Sequence, residues 1–163
     1  MNYICIGEIV NTHGIKGELR IVSDIEYKDY IFQKGTHLYI GKERIEETIA
    51  TYRYHKIYDM VTLEGLQDIN DVLGYKGEKV YINRNEFTFP SFLKEDLIGL
   101  DVISNEYQGK VTSILKSKAH DILVIEKENK KHLVPYVDEL IENIDFESKK
   151  IEIKDMKGLF DED

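Results

Sequence analysis

Within His13-Gly14-Ile15-Lys16-Gly17-Glu18-Leu19-Arg20, three basic side chains bracket two glycines set three apart. The chemistry such a segment could do is anion contact. The cations supply charge, and the glycines let the backbone turn with positive φ and let another backbone come close. A Gly-x-x-Gly pair is also the clamp by which KH domains hold an RNA backbone, but there helices flank it and here strand-like runs do. The plain alternative is a wide β-connection whose glycines only permit the turn. A second basic run, Tyr52-Arg53-Tyr54-His55-Lys56, interleaves cations with aromatic faces, as single-stranded RNA contacts require. In a strand, however, Tyr52, Tyr54 and Lys56 share one face and Arg53 and His55 the other. An ordinary amphipathic strand fits it equally.

No catalytic pattern accompanies these residues. His13, His37, His55, His120 and His132 are scattered, with no pair at metal-ligand spacing. Cys5, the single cysteine, sits in an apolar strand-like run, a setting expected to raise the thiol pKa and leave it inert. The carboxylate groups Glu46-Glu47 and Asp161-Glu162-Asp163 look like solvated surface and tail. There is no phosphate-binding P-loop, nucleophile elbow or dinucleotide turn. The expectation is a protein that is not an enzyme and uses no cofactor or metal.

Two apolar groups could serve a protein partner instead. Phe92, Leu93, Leu97 and Ile98 lie in the charged run Ser91–Leu100, which also contains Asp96. Pro135 and Tyr136 follow His132-Leu133-Val134. Apolar and aromatic anchors in a rim of charge make good binding hot spots, although packing inside the fold is the commoner fate of such residues.

The elements that must position these groups read as short strands. Tyr3–Val10, Glu18–Val22, His37–Ile40, Thr48–Tyr54, Ile57–Leu63 and Lys79–Ile82 are rich in Ile, Val, Tyr and Thr. Leu19 and Ile21 alternate with Glu18 and Arg20, while Ile57, Asp59, Val61 and Leu63 share one phase. Helix is expected only at Asp68–Leu73, with Asp68 as N-cap and Gly74 as stop, and as one turn in Ile25–Phe32. The stretch Asn83–Lys94 breaks the rhythm with a polar run, Phe87, Phe89 and Pro90, and reads as a linker that packs on something. After it come Val102–Ser104, Lys110–Leu115, Asp121–Glu126, His132–Val134 and Lys150–Ile153, joined by turns at Asn105–Gly109, Lys127–Lys131 and Asp145–Ser148. Val137–Ile141 reads as one helical turn. Short strands at this spacing predict a small barrel.

With 42% apolar and 33% charged residues in a chain of 163, a globular protein of one or two small domains is expected. No run reaches the ~18 apolar residues of a membrane helix, and Met1–Val10, with Glu8 inside its apolar stretch, is not signal-like. A cytoplasmic protein without membrane contact is the expectation. Net charge is −9. Residues 1–90 hold 11 Lys/Arg and 14 Asp/Glu (−3), and residues 91–163 hold 11 and 17 (−6). The acidic second half is wrong for phosphate backbones and suits a basic protein partner, unless the charge serves solubility alone.

The run Gly7-Glu8-Ile9-Val10-Asn11-Thr12-His13-Gly14-Ile15-Lys16-Gly17-Glu18-Leu19-Arg20 resembles the opening signature of the RimM family of bacterial ribosome maturation factors. The resemblance continues, in the family's order, through Leu63-Glu64-Gly65-Leu66, Asp96-Leu97-Ile98-Gly99, Gly109-Lys110-Val111, Ala119-His120-Asp121-Ile122-Leu123-Val124 and Leu133-Val134-Pro135-Tyr136-Val137. It implies a mainly β chain with two small β-barrels joined by a short linker. The first, residues 1–84, would resemble a translation-factor barrel. A linker, 85–95, would lead to a C-terminal PRC-barrel, 96–163. It further implies a monomer that catalyses nothing, assists late assembly of the small-subunit head and 16S rRNA processing, and binds small-subunit ribosomal protein nineteen. On that basis Phe92, Leu93, Asp96, Leu97, Pro135 and Tyr136 are expected to contact the ribosomal protein. His13, Gly14, Lys16, Gly17 and Arg20 are expected to contact rRNA or the immature subunit. Phe92-Leu93 stands where the family usually has two tyrosines, so apolar bulk remains and the hydroxyls are lost. Lys118-Ala119-His120-Asp121 replaces the usual Gly-Ala-Asn-Asp turn. A free-standing RNA-binding module and a PRC-barrel adaptor for a non-ribosomal partner are the alternatives.

Overall fold

The structure, a computed structural model, describes residues 1–154. The acidic run Asp161–Asp163 lies outside the described residues. The chain forms two compact units, Met1–Ser91 and Phe92–Asp163.

In the first unit, strands β1 (Tyr3–His13), β2 (Glu18–Val22), β3 (His37–Ile40), β4 (Ile45–His55), β5 (Tyr58–Leu63) and β6 (Lys79–Asn83) close a barrel in the order β1-β2-β5-β4-β3-β6. Closure pairs every strand on both sides, so a short sheet needs no protected edge. The period-two pattern sets the interior. Leu19 and Ile21 of β2 are fully buried between outward Glu18 and Arg20, as the alternation predicts. Ile4, Ile6, Ile9, Leu38, Ile40, Ile49, Val61, Leu63, Val80 and Ile82 complete the core. Bulges at Cys5/Gly7 and Ile9/Asn11 of β1 and at Ile49/Thr51 of β4 let these 11-residue strands coil round the barrel. Both run longer than their sequence suggests, because Asn11, Glu46 and Glu47 carry no β signal of their own.

Asp59 obeys the same phase and therefore points inward, where its side chain is wholly buried. Helix α1 (Lys28–Ile31) meets it there: Lys28 Nζ lies 2.7 Å from Asp59 Oδ2, and the Tyr52 hydroxyl donates to Oδ1 at 2.7 Å. Burial, then the hydrogen bond and charge of Asp59, push the Tyr52 phenol well above its ordinary pKa. Helix α2 (Ile69–Val72) is capped by the Asp68 side chain, which accepts from the Asn70 amide at 2.8 Å. Gly74 is not the stop expected of it. It lies inside a 3-10 turn, Leu73–Tyr75, and the left-handed residue is Gly77 (φ +88°).

Two further expectations are corrected. Alternation along Ile4-Cys5-Ile6 puts the isoleucines inside and leaves Cys5 exposed. Ile57 lies not in a strand but in the two-residue β4–β5 turn with Lys56, which takes φ +59°, and is 64% exposed. The aromatic stretch packs as expected: Phe89 stacks on Tyr27 and Phe87 at ring-centroid distances of 5.7 and 5.3 Å.

In the second unit, β7 (Asp101–Ser104), β8 (Tyr107–Leu115), β9 (Ile122–Lys127), β10 (Lys130–Pro135), β11 (Ile141–Asp145) and β12 (Lys150–Ile153) form a six-stranded sheet ordered β10-β9-β8-β7-β12-β11. Among the described residues of this unit, only β7 and β12 pair in parallel. Leu97, Leu100, Val102, Val111, Leu123, Ile125, Val134, Leu140, Ile151 and Ile153 make its core. The turns fall at the expected Asn and Asp but are shorter than expected, since Tyr107–Gly109 already belong to β8 and Lys127, Lys130 and Lys131 to β9 and β10. Asn105 and Asn129 take positive φ, and the Asp145 carboxylate accepts from the Glu147 and Ser148 amides. The turn at Val137–Ile141 is present, through the Leu140 amide donating to the Val137 carbonyl. Strand β11 just after it was not expected, since Ile141-Glu142-Asn143-Ile144-Asp145 is too polar to announce a strand.

Candidate functional site

The first candidate site lies on the first unit, where the register brings the two basic runs together. The β1–β2 loop is seated by its glycines. Gly17 is buried at φ +80°, and a Cβ there would stand 2.6 Å from the Leu66 carbonyl oxygen. The Ile69 amide donates to the Ile15 carbonyl at 3.0 Å, so the start of α2 holds the loop from below. Gly14 (φ +71°) faces open space. Gly17 thus supports the loop from inside, whereas Gly14, Ile15 and Lys16 form its exposed tip. The loop borders a hollow of about 370 Å³ lined by His13, Gly14, Ile15, Lys16, Glu18 and Thr62.

Strand β2 lies between β1 and β5, and β4 follows β5, so outward residues of four strands share one face. Arg20 Nη2 donates to His13 Nδ1 at 2.6 Å, and its guanidinium lies 5.4 Å from the Tyr58 ring centroid. The His13 and His55 rings stand 6.4 Å apart. Arg53 makes a two-pronged pair with Glu18, both distances 2.8 Å. The hydrogen bond from Arg53 holds the Glu18 carboxyl below its usual range; burial opposes it, and the nearby charge of Arg53, with lesser contributions from His13 and His55, adds to the lowering. His13, Arg20, Arg53 and His55 therefore form one basic group with Glu18 as the acid within it. The sequence separated these residues into two motifs. The signal that could have joined them was the alternation, which puts Glu18 and Arg20 outward on β2 and Arg53 and His55 outward on β4.

The second candidate site lies on the second unit. Phe92 is half-buried, its ring centroid 5.2 Å from that of Phe146. Leu93 and Leu97 are fully buried, and Leu97 belongs to the core. Leu97 anchors its segment in the core, and two fully buried side chains offer no surface to a partner, which corrects the expectation for both. Asp96 turns back on its own segment, its Oδ2 accepting from the Leu93 amide at 2.8 Å at the head of a 3-10 turn, Lys94–Leu97. Pro135 ends β10 opposite Ile122, and Tyr136, half-buried on the core, donates its amide to the Asp121 carbonyl at 2.8 Å. Exposed Asp138 and Glu139 follow.

Asp121 was not among the expected site residues. Its carboxylate lies 2.7 Å from Lys94 Nζ and 3.6 Å from Lys116 Nζ. Burial pushes its pKa up, but the hydrogen bond from Lys94 and the charges of Lys116 and Lys94 outweigh it, leaving the carboxyl below its usual range. A carboxyl with a depressed folded pKa contributes stability that is full above the unfolded value and lost as pH falls through the folded one. Unfolding of this unit at pH 6 and at successively lower pH is therefore expected to show a loss that begins below about pH 4. That loss should be smaller in Asp121→Asn. An identical acid profile in the variant would refute the contribution.

Among the described residues no cluster of three or more His, Cys, Asp or Glu side chains could hold a metal ion. No described helix is long and apolar enough to cross a membrane.

Comparison with known proteins covers both units. Residues 4–87 match the RimM N-terminal domain and residues 94–159 the RimM PRC barrel domain. The ribosome maturation factor RimM of Staphylococcus haemolyticus is 39% identical over 164 residues, covering 96% of this chain and 98% of that protein. The factor of the same name from Halalkalibacterium halodurans is 35% identical over 170 residues, covering 98% of each. A crystal structure of a putative 16S ribosomal RNA processing protein RimM from Pseudomonas aeruginosa, 23% identical, aligns over 94% of this chain and 97% of that one with a TM-score of 0.47. With both domains matched in order and relatives above one-third identity along nearly the whole length, this chain belongs to the RimM family.

Proposed function

We propose that this protein is a ribosome maturation factor that assists late assembly of the small-subunit head and processing of 16S rRNA. The second unit binds small-subunit ribosomal protein nineteen, a basic partner, and the basic face of the first unit contacts rRNA in the immature subunit. Family membership supports the role. The observation that carries the division of labour is the gathering of His13, Arg20, Arg53 and His55 on one face, beside exposed Lys16, in a chain of net charge −9. An acidic protein approaches RNA only through a local excess of cations. The second unit's excess of acids suits a basic protein. Its work is holding a productive arrangement of protein and RNA, not covalent chemistry.

The test is co-sedimentation of the purified chain with immature small subunits, mature small subunits and full ribosomes. Binding restricted to immature or free small subunits is the expected result, and binding to none of them would overturn the role. Lys16→Glu and Arg20→Glu should each weaken that binding by roughly tenfold at moderate salt, because each reverses a charge facing phosphate. Unchanged binding by both, with thermal melting unaltered, would remove the first unit's face from the RNA contact.

A further inference from the structure

Two segments make up the proposed protein-binding edge of the second unit, Phe92–Leu97 and Pro135–Tyr136, and they lie some 40 residues apart in sequence. Asp121 touches both. Its carboxylate holds Lys94 of the first segment at 2.7 Å, and its backbone carbonyl takes the Tyr136 amide of the second at 2.8 Å. With a side chain 10% exposed, it is a nearly buried charge at the start of β9, whose first residue, Ile122, pairs with Pro135.

We infer that Asp121 is the positioning residue of this edge: it clamps the Phe92–Leu97 segment beside Tyr136 and neutralises Lys94 and Lys116 where a basic partner must approach. The inference rests on the proposed contact with a basic ribosomal protein.

The two effects have different origins. The Lys94 ammonium stands 2.7 Å from a nearly buried carboxylate oxygen, so charge attraction holds the segment close. The Lys94 segment itself is fastened in the core of this unit by Leu97, and Phe92 rests on Phe146, so the clamp decides only how its outer part lies. Lys116, at 3.6 Å, adds charge without a close bond. Take the carboxylate away and two ammonium groups lose that neutralising partner on a surface meant for cations. Like charges set against each other are one way an interface rejects a partner.

The experiment uses the full chain and purified small-subunit ribosomal protein nineteen as probe, with binding measured at two salt concentrations. Asp121→Asn should weaken binding about tenfold, and the loss should shrink at high salt, where exposed charge is screened. Lys94→Met should lose less, because it frees the edge of one cation while loosening the clamp. In the Lys94→Met background, Asp121→Asn should lose only the smaller part owed to Lys116, since the clamp on Lys94 is already gone. A full, additive loss in that background would overturn the clamp. A loss independent of salt would overturn the neutralising role. Asp138→Lys with Glu139→Lys, both exposed beside Tyr136, tests the underlying contact. Unchanged binding there would refute the proposed edge itself, whereas a loss there with Asp121→Asn unchanged would refute only Asp121. Should Asp121→Asn not fold, Asp121→Glu and Lys94→Met carry the same comparison. Glu keeps the charge with a longer reach and should bind the probe better than Lys94→Met at low salt, and the reverse order would overturn the inference.

Discussion

Asp59→Ala is expected to destabilise the first unit by about 3 kcal/mol, the low end for breaking a buried ion pair. The low end applies because Lys28 keeps 29% of its side chain exposed and can recover some water, whereas Asp59 has none. Removing the carboxylate also strips the Tyr52 hydroxyl of its acceptor while its ring stays stacked on Phe32, at a centroid distance of 5.4 Å. An orphaned, partly buried hydroxyl costs about 1–3 kcal/mol by itself. Urea unfolding of the full chain would measure the effect as an earlier first transition, read separately from the second unit's. Asp59→Asn should cost less, because an amide oxygen still accepts from Tyr52. The triple change Asp59→Leu, Lys28→Met, Tyr52→Phe should recover most of the loss, since an apolar filling of similar volume spares the desolvation of a charge. Equal stability of Asp59→Ala and the natural chain would mean that the pair contributes nothing beyond packing.

Asp59 also marks how far the sequence could be read. The alternation over β5 places it with Val61 and Leu63, on the inner phase, so its burial was legible; its partner was not. Lys28 sits 31 residues away on a four-residue helix, and no local pattern ties the two. The basic face behaves the same way. His13, Lys16 and Arg20 stand out as a motif, and Arg53 and His55 as another, yet their meeting depends on β5 lying between β2 and β4. Strand neighbours in a barrel are fixed by long-range pairing and bulges, which leave little trace in one chain segment. Leu93 and Leu97 were misjudged for the opposite reason. Apolar residues in a charged run look alike whether they face a partner or the core, and here both are fully buried, Leu93 just before a 3-10 turn and Leu97 at its end. Strand β11 was missed because an edge strand of Glu, Asn and Asp takes its shape from β12 and not from propensity. Asp121, one carboxylate among many, acquires its importance only from the two lysines and the amide folded around it.

Gly17→Ala carries the second large effect and separates two meanings of a glycine in a turn. At Gly14, φ is +71° with open space around the missing Cβ, so alanine meets only the intrinsic left-handed penalty of about 1–2 kcal/mol. At Gly17, φ is +80° and the Cβ would also lie 2.6 Å from the Leu66 carbonyl oxygen, with the Asp68 amide nitrogen and carbonyl oxygen each at 3.3 Å. Those atoms are backbone and cannot swing aside like a side-chain tip. Either the loop lifts from α2, releasing the Ile69–Ile15 hydrogen bond, or the Gly65–Asp68 segment shifts. The added cost should bring the total to about 2–4 kcal/mol, roughly twice that of Gly14→Ala. Thermal unfolding of the two variants side by side measures the difference directly. Because Lys16 rides on the lifted loop, Gly17→Ala should also weaken binding to immature subunits at temperatures where the unit is still folded, although Gly17 itself is buried. Equal losses of stability for the two alanines would mean that no close approach exists beneath the loop. Intact subunit binding by a destabilised Gly17→Ala would mean that the position of the loop does not matter to the contact.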